Sequence, residues 1–353
     1  MTSVLVVIAS AGHTAPREDG AGPRHTAAVH HTSIRCRQCH PRQREEWLAS
    51  AHARAATSGA YHRALEHVPD ARRPSCAPCH VPLAGNPERI ATEGVVCDAC
   101  HTADAAARPG GVTPRPELAT KFGPYADSKD HHFHRVAFSA FVAGSDLCIA
   151  CHSDPEAGPV VVLTSAVEWR AGPHASRSCP SCHMPGSKAR AAKGGPERTV
   201  YHHGFGADRA KSLERAIHVK TRVARTERAA ELSVSLTNAG AGHAIPTDLP
   251  ERRLRLEIEG RSASGEPVVR FERAFGRHLV DAANQPAPFF LAVRELADER
   301  LAAGATRHER FELPAGTARV RIRLSYQRWD PAFDRYYGPS EPVLVHDSEV
   351  RVR

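Results

Sequence analysis

From about Ala216 to the C-terminus, apolar and polar residues alternate with a period of two. The clearest runs are Glu231-Leu232-Ser233-Val234-Ser235-Leu236, Leu254-Arg255-Leu256-Glu257-Ile258 and Val320-Arg321-Ile322-Arg323-Leu324. Val268, Val269 and Phe271 form a fourth, and Val343, Leu344 and Val345 with Val350 and Val352 a fifth. Successive side chains of a strand point to opposite faces, so each run offers one apolar face to a core and one polar face to water. Turn-forming groups stand between the runs: Asn238-Ala239-Gly240, Ser264-Gly265 and Pro314-Ala315-Gly316. This predicts about five to eight antiparallel strands, and for residues 219–353 an all-β sandwich of immunoglobulin-like type. The first two hundred residues lack such alternation. Residues 44–67 read as one helix, from Glu45, Glu46, Trp47 and Leu48 into an Ala-rich continuation with no proline before Pro69. Residues 207–218 read as a helix connecting to the β region. The rest of residues 12–206 reads as short helices and loops, a mostly α and irregular domain.

Cysteine spacing says what could organise such a segment. All ten cysteines fall in pairs with two residues between: Cys36/Cys39, Cys76/Cys79, Cys97/Cys100, Cys148/Cys151 and Cys179/Cys182. A histidine follows each pair directly: His40, His80, His101, His152 and His183. C-x-x-C-H is the attachment signal of c-type haem. Two thiols at this spacing each form a thioether to one haem vinyl group, and the adjacent histidine becomes the proximal ligand of the iron. Structural zinc would use the pairs two at a time and leave one unmatched. A thioredoxin-like redox pair needs one copy in a βαβ setting, not five in loop-rich sequence. With 23 histidines in 353 residues, chance would place five of them so on the order of once in a million sequences. The expectation is five covalent haems.

Composition agrees with that reading. Apolar residues make up 41% of the chain but aromatic ones only 6%, a thin core supply that five large flat porphyrins would supplement. The formal net charge of +8 is offset by two propionates on each haem, so the basic balance is no argument for nucleic-acid binding. Near the N-terminus Val4-Leu5-Val6-Val7-Ile8 is a short apolar run followed by Ala9-Ser10-Ala11, with the small-x-small form of a cleavage site. No positive segment precedes the run, so residues 1–11 read as a signal peptide cut short. The run is too short to span a bilayer. Haem c is attached outside the cytoplasm, and the chain is expected to be exported and not membrane-spanning.

The sixth position of each iron decides what such a protein can do. A second histidine closes the iron to ligands and leaves a centre that exchanges electrons with little rearrangement, whereas an open position can bind substrate. Candidates cluster at His30 and His31, His52, His131, His132 and His134, His174, His202 and His203, and His243. That is six groups for five irons. Glu46-Trp47-Leu48-Ala49-Ser50-Ala51-His52-Ala53 matches Glu168-Trp169-Arg170-Ala171-Gly172-Pro173-His174-Ala175, each copy preceding a C-x-x-C-H. A duplicated haem-binding unit would give this pattern and make His52 and His174 equivalent distal ligands. His243 reads either as a structural residue in a turn before Pro246 or as a ligand donated by the β region.

Cys36-Arg37-Gln38-Cys39-His40 followed by Trp47, Ser50 and His52 resembles the opening of multihaem cytochromes related to the tetrahaem electron carrier of hydroxylamine oxidation. Phe133-His134 before the fourth motif is similar to a ligand-bearing segment of that family. Cys179-Pro180-Ser181-Cys182-His183-Met184-Pro185 with His203-Gly204-Phe205 is similar to its closing segment. Asn238-Ala239-Gly240-Ala241-Gly242-His243-Ala244-Ile245-Pro246-Thr247 resembles a β-domain carried by many such cytochromes. The resemblance implies that His52 is a distal ligand. Two positions depart from it: Asp248 stands where glycine is usual, and Gly172 where serine is usual.

These features point to an exported electron carrier that exchanges electrons with redox partner proteins. The alternative is a reductase or oxidase of small nitrogen or sulfur compounds with one open haem. A docking role for the β region is a third possibility, though fold alone does not establish one.

Overall fold

The structure is a computed structural model that describes residues 32–83, 92–103, 110–113, 119–153, 158–225 and 230–352. The proposed signal segment and the candidate ligands His30 and His31 lie outside the described residues.

In the N-terminal part each attachment motif sits on or beside a short helical turn: Ser33–Cys36, Ala77–His80, Cys97–His101, Asp146–Ile149 and Cys179–His183. Helical winding puts residues three apart on one face, which brings the two thiols of each pair together. It also links the histidine to the first cysteine, as in the N–H of His40 donating to the Cys36 carbonyl at 2.8 Å and His152 to Cys148 at 2.9 Å.

The single helix expected over residues 44–67 is broken in three: Pro41–Leu48, a 3₁₀ turn His52–Arg54, and Gly59–His67. Serines account for the breaks. The Ser50 hydroxyl donates back to the Trp47 carbonyl at 2.6 Å, and Ser58 caps a new helix by accepting from the Tyr61 N–H. The break at Ser50 frees His52 to turn inward. Strands that periodicity did not reveal also occur here. β1 (Thr120–Gly123) pairs in parallel with β2 (Arg135–Phe138), and β3 (Gly186–Arg190) forms a hairpin with β4 (Glu197–Tyr201).

The connecting helix is Arg209–Ala216, started by Asp208, whose side chain accepts from the Lys211 N–H. It gives way directly to β5 (Ile217–Arg225). After β5 come β6 (Ala230–Asn238), β7 (Arg253–Arg261), β8 (Pro267–Phe275), β9 (Arg277–Val280), β10 (Arg294–Asp298), β11 (Thr306–Leu313), β12 (Arg319–Gln327) and β13 (Val343–Arg351). Seven of them make two antiparallel sheets, in the orders β11-β6-β5 and β13-β12-β7-β8, while β9 and β10 pair separately. Leu232, Val234 and Leu236 of β6 share one buried cluster with Leu254, Leu256 and Ile258 of β7 and Val320, Ile322 and Leu324 of β12. The two sheets therefore enclose a common core, and the alternation in the sequence marks its inward faces.

The two parts are packed together. Val68, Ala60 and Ala64 of the first meet Phe290, Trp329, Phe333, Tyr336 and Tyr337 of the second. Arg277, with its guanidinium buried, donates to the carbonyls of Val161 and Val162 at 2.6 and 2.9 Å while pairing with Glu295 at 2.6 Å. Among the described residues no helix is long and apolar enough to cross a membrane.

Candidate haem-binding site

One continuous cavity of about 2670 Å³ runs through the N-terminal part and reaches the edge of the β-rich part. A pocket for one ligand is typically about 300–1,000 Å³, so this space is built for several large groups. Nine of the ten attachment cysteines line it, Cys182 excepted, with all five motif histidines and His52, His134, His203 and His243.

Four motif histidines each face a second histidine across this space. Ring centroids are 6.4 Å apart for His40 and His134, 6.1 Å for His52 and His152, 6.3 Å for His101 and His203, and 6.2 Å for His183 and His243. A metal–imidazole nitrogen bond is about 2.0–2.1 Å and the ring centre lies about 1.1 Å behind that nitrogen, so two imidazoles opposed across one ion stand about 6.3 Å apart. The residues fit an iron held between two histidines, four times over. Among the described residues no group of three or more His, Cys, Asp or Glu is arranged around a bare metal ion, as a zinc site would require.

Hydrogen bonds fix the rings for that role. Nδ1 of His40 faces the Ala191 carbonyl at 2.7 Å, that of His101 the Phe122 carbonyl at 2.7 Å, and that of His80 the Ala55 carbonyl at 2.9 Å. His134, His203 and His243 place Nδ1 against the carbonyls of Arg135, Tyr201 and Ala244. A ring that donates from Nδ1 keeps Nε2 free as a ligand. Burial lowers the pKa of His52 and of His203 to about 4, and burial likewise lowers His80, His101, His134 and His183. Neutral imidazole is the ligating form. His152 goes the other way: hydrogen bonding to the Asp248 carboxylate raises it against the effect of burial.

Among the described residues the remaining candidates are opposed to no motif histidine. His174 is not part of the cavity wall, and its Cβ packs near Gly242. His202 turns its Nε2 toward Glu46 at 3.6 Å, and His132, though it lines the cavity, is exposed and stacks against His131 and Phe133. Among the described residues no histidine stands opposite His80; its ring is packed face to face with Tyr61, centroids 4.3 Å apart and planes 10° from parallel.

The duplicated motif has a different content from the one its histidines suggest. Its repeated glutamate holds a segment that carries one of the opposed histidines in both copies. Glu46 accepts the backbone N–H of His203 at 2.9 Å, and Glu168 accepts that of Ala244, next to His243, at 2.8 Å. Glu168 also pairs with Arg300 at 2.6 Å. Asn238, wholly buried, donates to the His243 and Leu301 carbonyls and accepts from the Ala241 N–H, which fixes the loop that carries His243. Gly172 belongs to the same junction: a Cβ there would stand 2.8 Å from the Gly242 carbonyl oxygen, so serine has no room. Glu46, Glu168 and Asn238 were within the quoted motifs, but nothing in a sequence distinguishes a carboxylate that reaches a distant backbone from one in water.

The thiols show which motifs adjoin. Cys36 lies beside Cys97, Cys79 beside Cys151, and Cys148 beside Cys179. Although only residues 81–96 separate the second and third motifs, their thiols turn to different partners. The fourth motif adjoins both the second and the fifth.

Residues 35–102 match the family described as cytochrome c554 and c-prime. The chain is similar in structure to a penta-heme cytochrome c552 from Thermochromatium tepidum, with a TM-score of 0.74 and 22% identity over 92% of this chain and 100% of that one. A Bordetella pertussis structure described as ApaA (TM-score 0.21, 13% identity, 38% of this chain and 89% of that one) resembles it too weakly to carry an argument. The same holds for a Bacteroides fragilis structure described as a β-galactosidase (TM-score 0.20, 13% identity, 39% and 16%). No curated protein matches the sequence. The fold of nearly the whole chain is that of a multihaem c-type cytochrome, and the segment with its first three attachment motifs matches the cytochrome c554 family.

Proposed function

We propose that this chain is a five-haem c-type cytochrome that carries electrons outside the cytoplasm between redox partner proteins. The observation that carries this is the set of four opposed histidine pairs at 6.1–6.4 Å on one continuous cavity. Irons closed on both sides exchange electrons without binding substrate, and adjoining motifs provide a path between them. Each pair of thiols would hold one haem by thioethers, with His40, His80, His101, His152 and His183 proximal and His134, His52, His203 and His243 distal to four of them. The bound haems would supply the one-electron iron couple; the chain supplies their placement, their ligands and an apolar wall.

In this reading residues 12–206 are the haem domain, residues 207–218 the connection, and residues 219–353 a sandwich of immunoglobulin-like type. The last is supported by the strand order, with the first, second and fifth strands of the seven in one sheet and the others in the second. Kinship with the tetrahaem carrier of hydroxylamine oxidation rests on the motifs and the match over residues 35–102. Export rests on the site of haem attachment.

Protein produced with haem c maturation machinery should exceed the mass of its polypeptide by five haems. It should accept and release electrons over a broad potential range, without turnover on nitrite, hydroxylamine or tetrathionate. Four or fewer haems at full maturation, or bound zinc, would sink the assignment. One observation favours the reductase alternative: among the described residues His80 has no opposed histidine. A single high-spin haem that binds carbon monoxide stoichiometrically and is reoxidised by one of these substrates would move the protein to that class.

A further inference from the structure

Asp248 stands where the resembling cytochromes usually have glycine, and its backbone keeps the conformation glycine would favour, with φ at +64°. Aspartate tolerates that region but does not prefer it, and a side chain kept in a sparsely populated conformation suggests a use for it. The use is visible in its contacts. Oδ1 lies 3.5 Å from Nδ1 of His152, and Oδ2 accepts from Arg252 at 2.8 Å. Arg252 also donates to the Thr247 carbonyl at 2.8 Å, which fixes the carboxylate's orientation. His40, His80 and His101 present the same nitrogen to neutral backbone carbonyls, whereas His152 presents it to a carboxylate contributed by the β-rich part.

We propose that Asp248 is a positioning residue that lowers the reduction potential of the haem held by Cys148, Cys151 and His152. This rests on the haem assignment above. A carboxylate behind a ligating imidazole makes it a stronger donor and favours the more positive state of the metal. The iron couple concerned is ferric to ferrous, with the electron arriving from a neighbouring haem. The position matters for flow, because the fourth motif adjoins both the second and the fifth. Its potential therefore influences which way an electron leaves that junction.

The test is a spectroelectrochemical titration of the holoprotein at pH 7, comparing wild type with Asp248→Asn and Asp248→Gly. The glycine variant restores the family's usual residue and guards against a poorly folding asparagine variant. One haem of the set should titrate at least tenfold more readily toward the reduced state, 59 mV for a one-electron couple. The others should stay in place. Arg252→Gln, which removes the cation sharing the carboxylate, should move the same haem the opposite way, a sign change that loss of packing would not produce. If every haem keeps its potential in both Asp248 variants, or all move together, the proposal fails. Haem content by mass separates this from the earlier reading: a wild type lacking haem on Cys148 and Cys151 overturns the assignment itself.

Discussion

Glu168 joins the two halves of the molecule beside His243, the proposed distal ligand, so replacing it should loosen His183's opposed partner without touching either histidine. Its carboxylate holds the Ala244 N–H at 2.8 Å and Arg300 at 2.6 Å. Removing one member of a fully buried ion pair costs about 3–5 kcal/mol. Here the Glu168 side chain is 22% exposed, and Arg300 keeps Asp298 at 2.7 Å, so no charge is left alone. Loss of hydrogen bonds to a charged group, about 1.5–3 kcal/mol, is the better guide, and about 2–3 kcal/mol is expected for Glu168→Ala. At 1.4 kcal/mol per factor of ten, the fraction of molecules with the His243 loop released should rise roughly 30- to 150-fold. Carbon monoxide binding to the ferrous protein reads that opening directly, because the gas must displace His243. Glu168→Gln keeps an acceptor for Ala244 and should show a smaller rise. Burial pushes the Glu168 carboxyl up, but hydrogen bonds from Thr164 and the Ala244 N–H and the charge of Arg300 outweigh it and hold the carboxyl below its ordinary value of 4.5. A depressed pKa stabilises the folded state above the ordinary value and loses that contribution as pH falls through the folded one. Wild type and Glu168→Gln should therefore differ most near neutral pH and converge as the pH falls through the lowered value of the folded carboxyl. Identical carbon monoxide kinetics and denaturation midpoints in wild type and Glu168→Ala would refute the reasoning.

Three further outcomes are expected. His243→Ala should turn one haem high-spin in the electron paramagnetic resonance spectrum and leave the opposed pairs at His40, His101 and His152 low-spin; more than one new high-spin signal would contradict the pairing. His174→Ala should leave the spin states as they are, since His174 faces no motif histidine, whereas equivalence of the two repeats would require one haem to open. Gly172→Ser should cost roughly 1–3 kcal/mol through the clash with the Gly242 carbonyl oxygen, visible as a lower denaturation midpoint. An unchanged midpoint would show that the junction yields at no cost.

How much of this was legible beforehand differs by element. The attachment motifs were fully written in the chain, because two thiols and a histidine within five residues are brought together by one turn of helix whatever the rest does. The strands were legible for a related reason: alternation at β6, β7 and β12 is the direct record of one face meeting a core. The helix over residues 44–67 was misjudged because propensity and the absence of proline favour continuation, while the break depends on the hydroxyls of Ser50 and Ser58 finding local backbone partners. β3 and β4 carry mostly exposed or half-exposed residues, so no apolar stripe announced them.

Ligand pairing was the part that sequence left open. His52 and His174 occupy the same place in a repeat, yet His52 turns to His152 while His174 stays outside the cavity. Near the second copy it is His243 that faces a motif histidine, His183, on a loop that Asn238 and Glu168 both hold. Which imidazole faces which is a matter of long-range packing between segments up to about a hundred residues apart, and similarity of local sequence does not constrain it. The same applies to Asp248, whose position in the chain marks only a departure from glycine and whose contact with His152 exists because the two parts dock. The sequence by itself thus determined which atoms can be bonded to haem and where the β core lies, since both follow from neighbours along the chain. Only the tertiary structure decided which histidines oppose one another and which charges stand behind them, because those relations are set by the closing of a core and not by the order of residues.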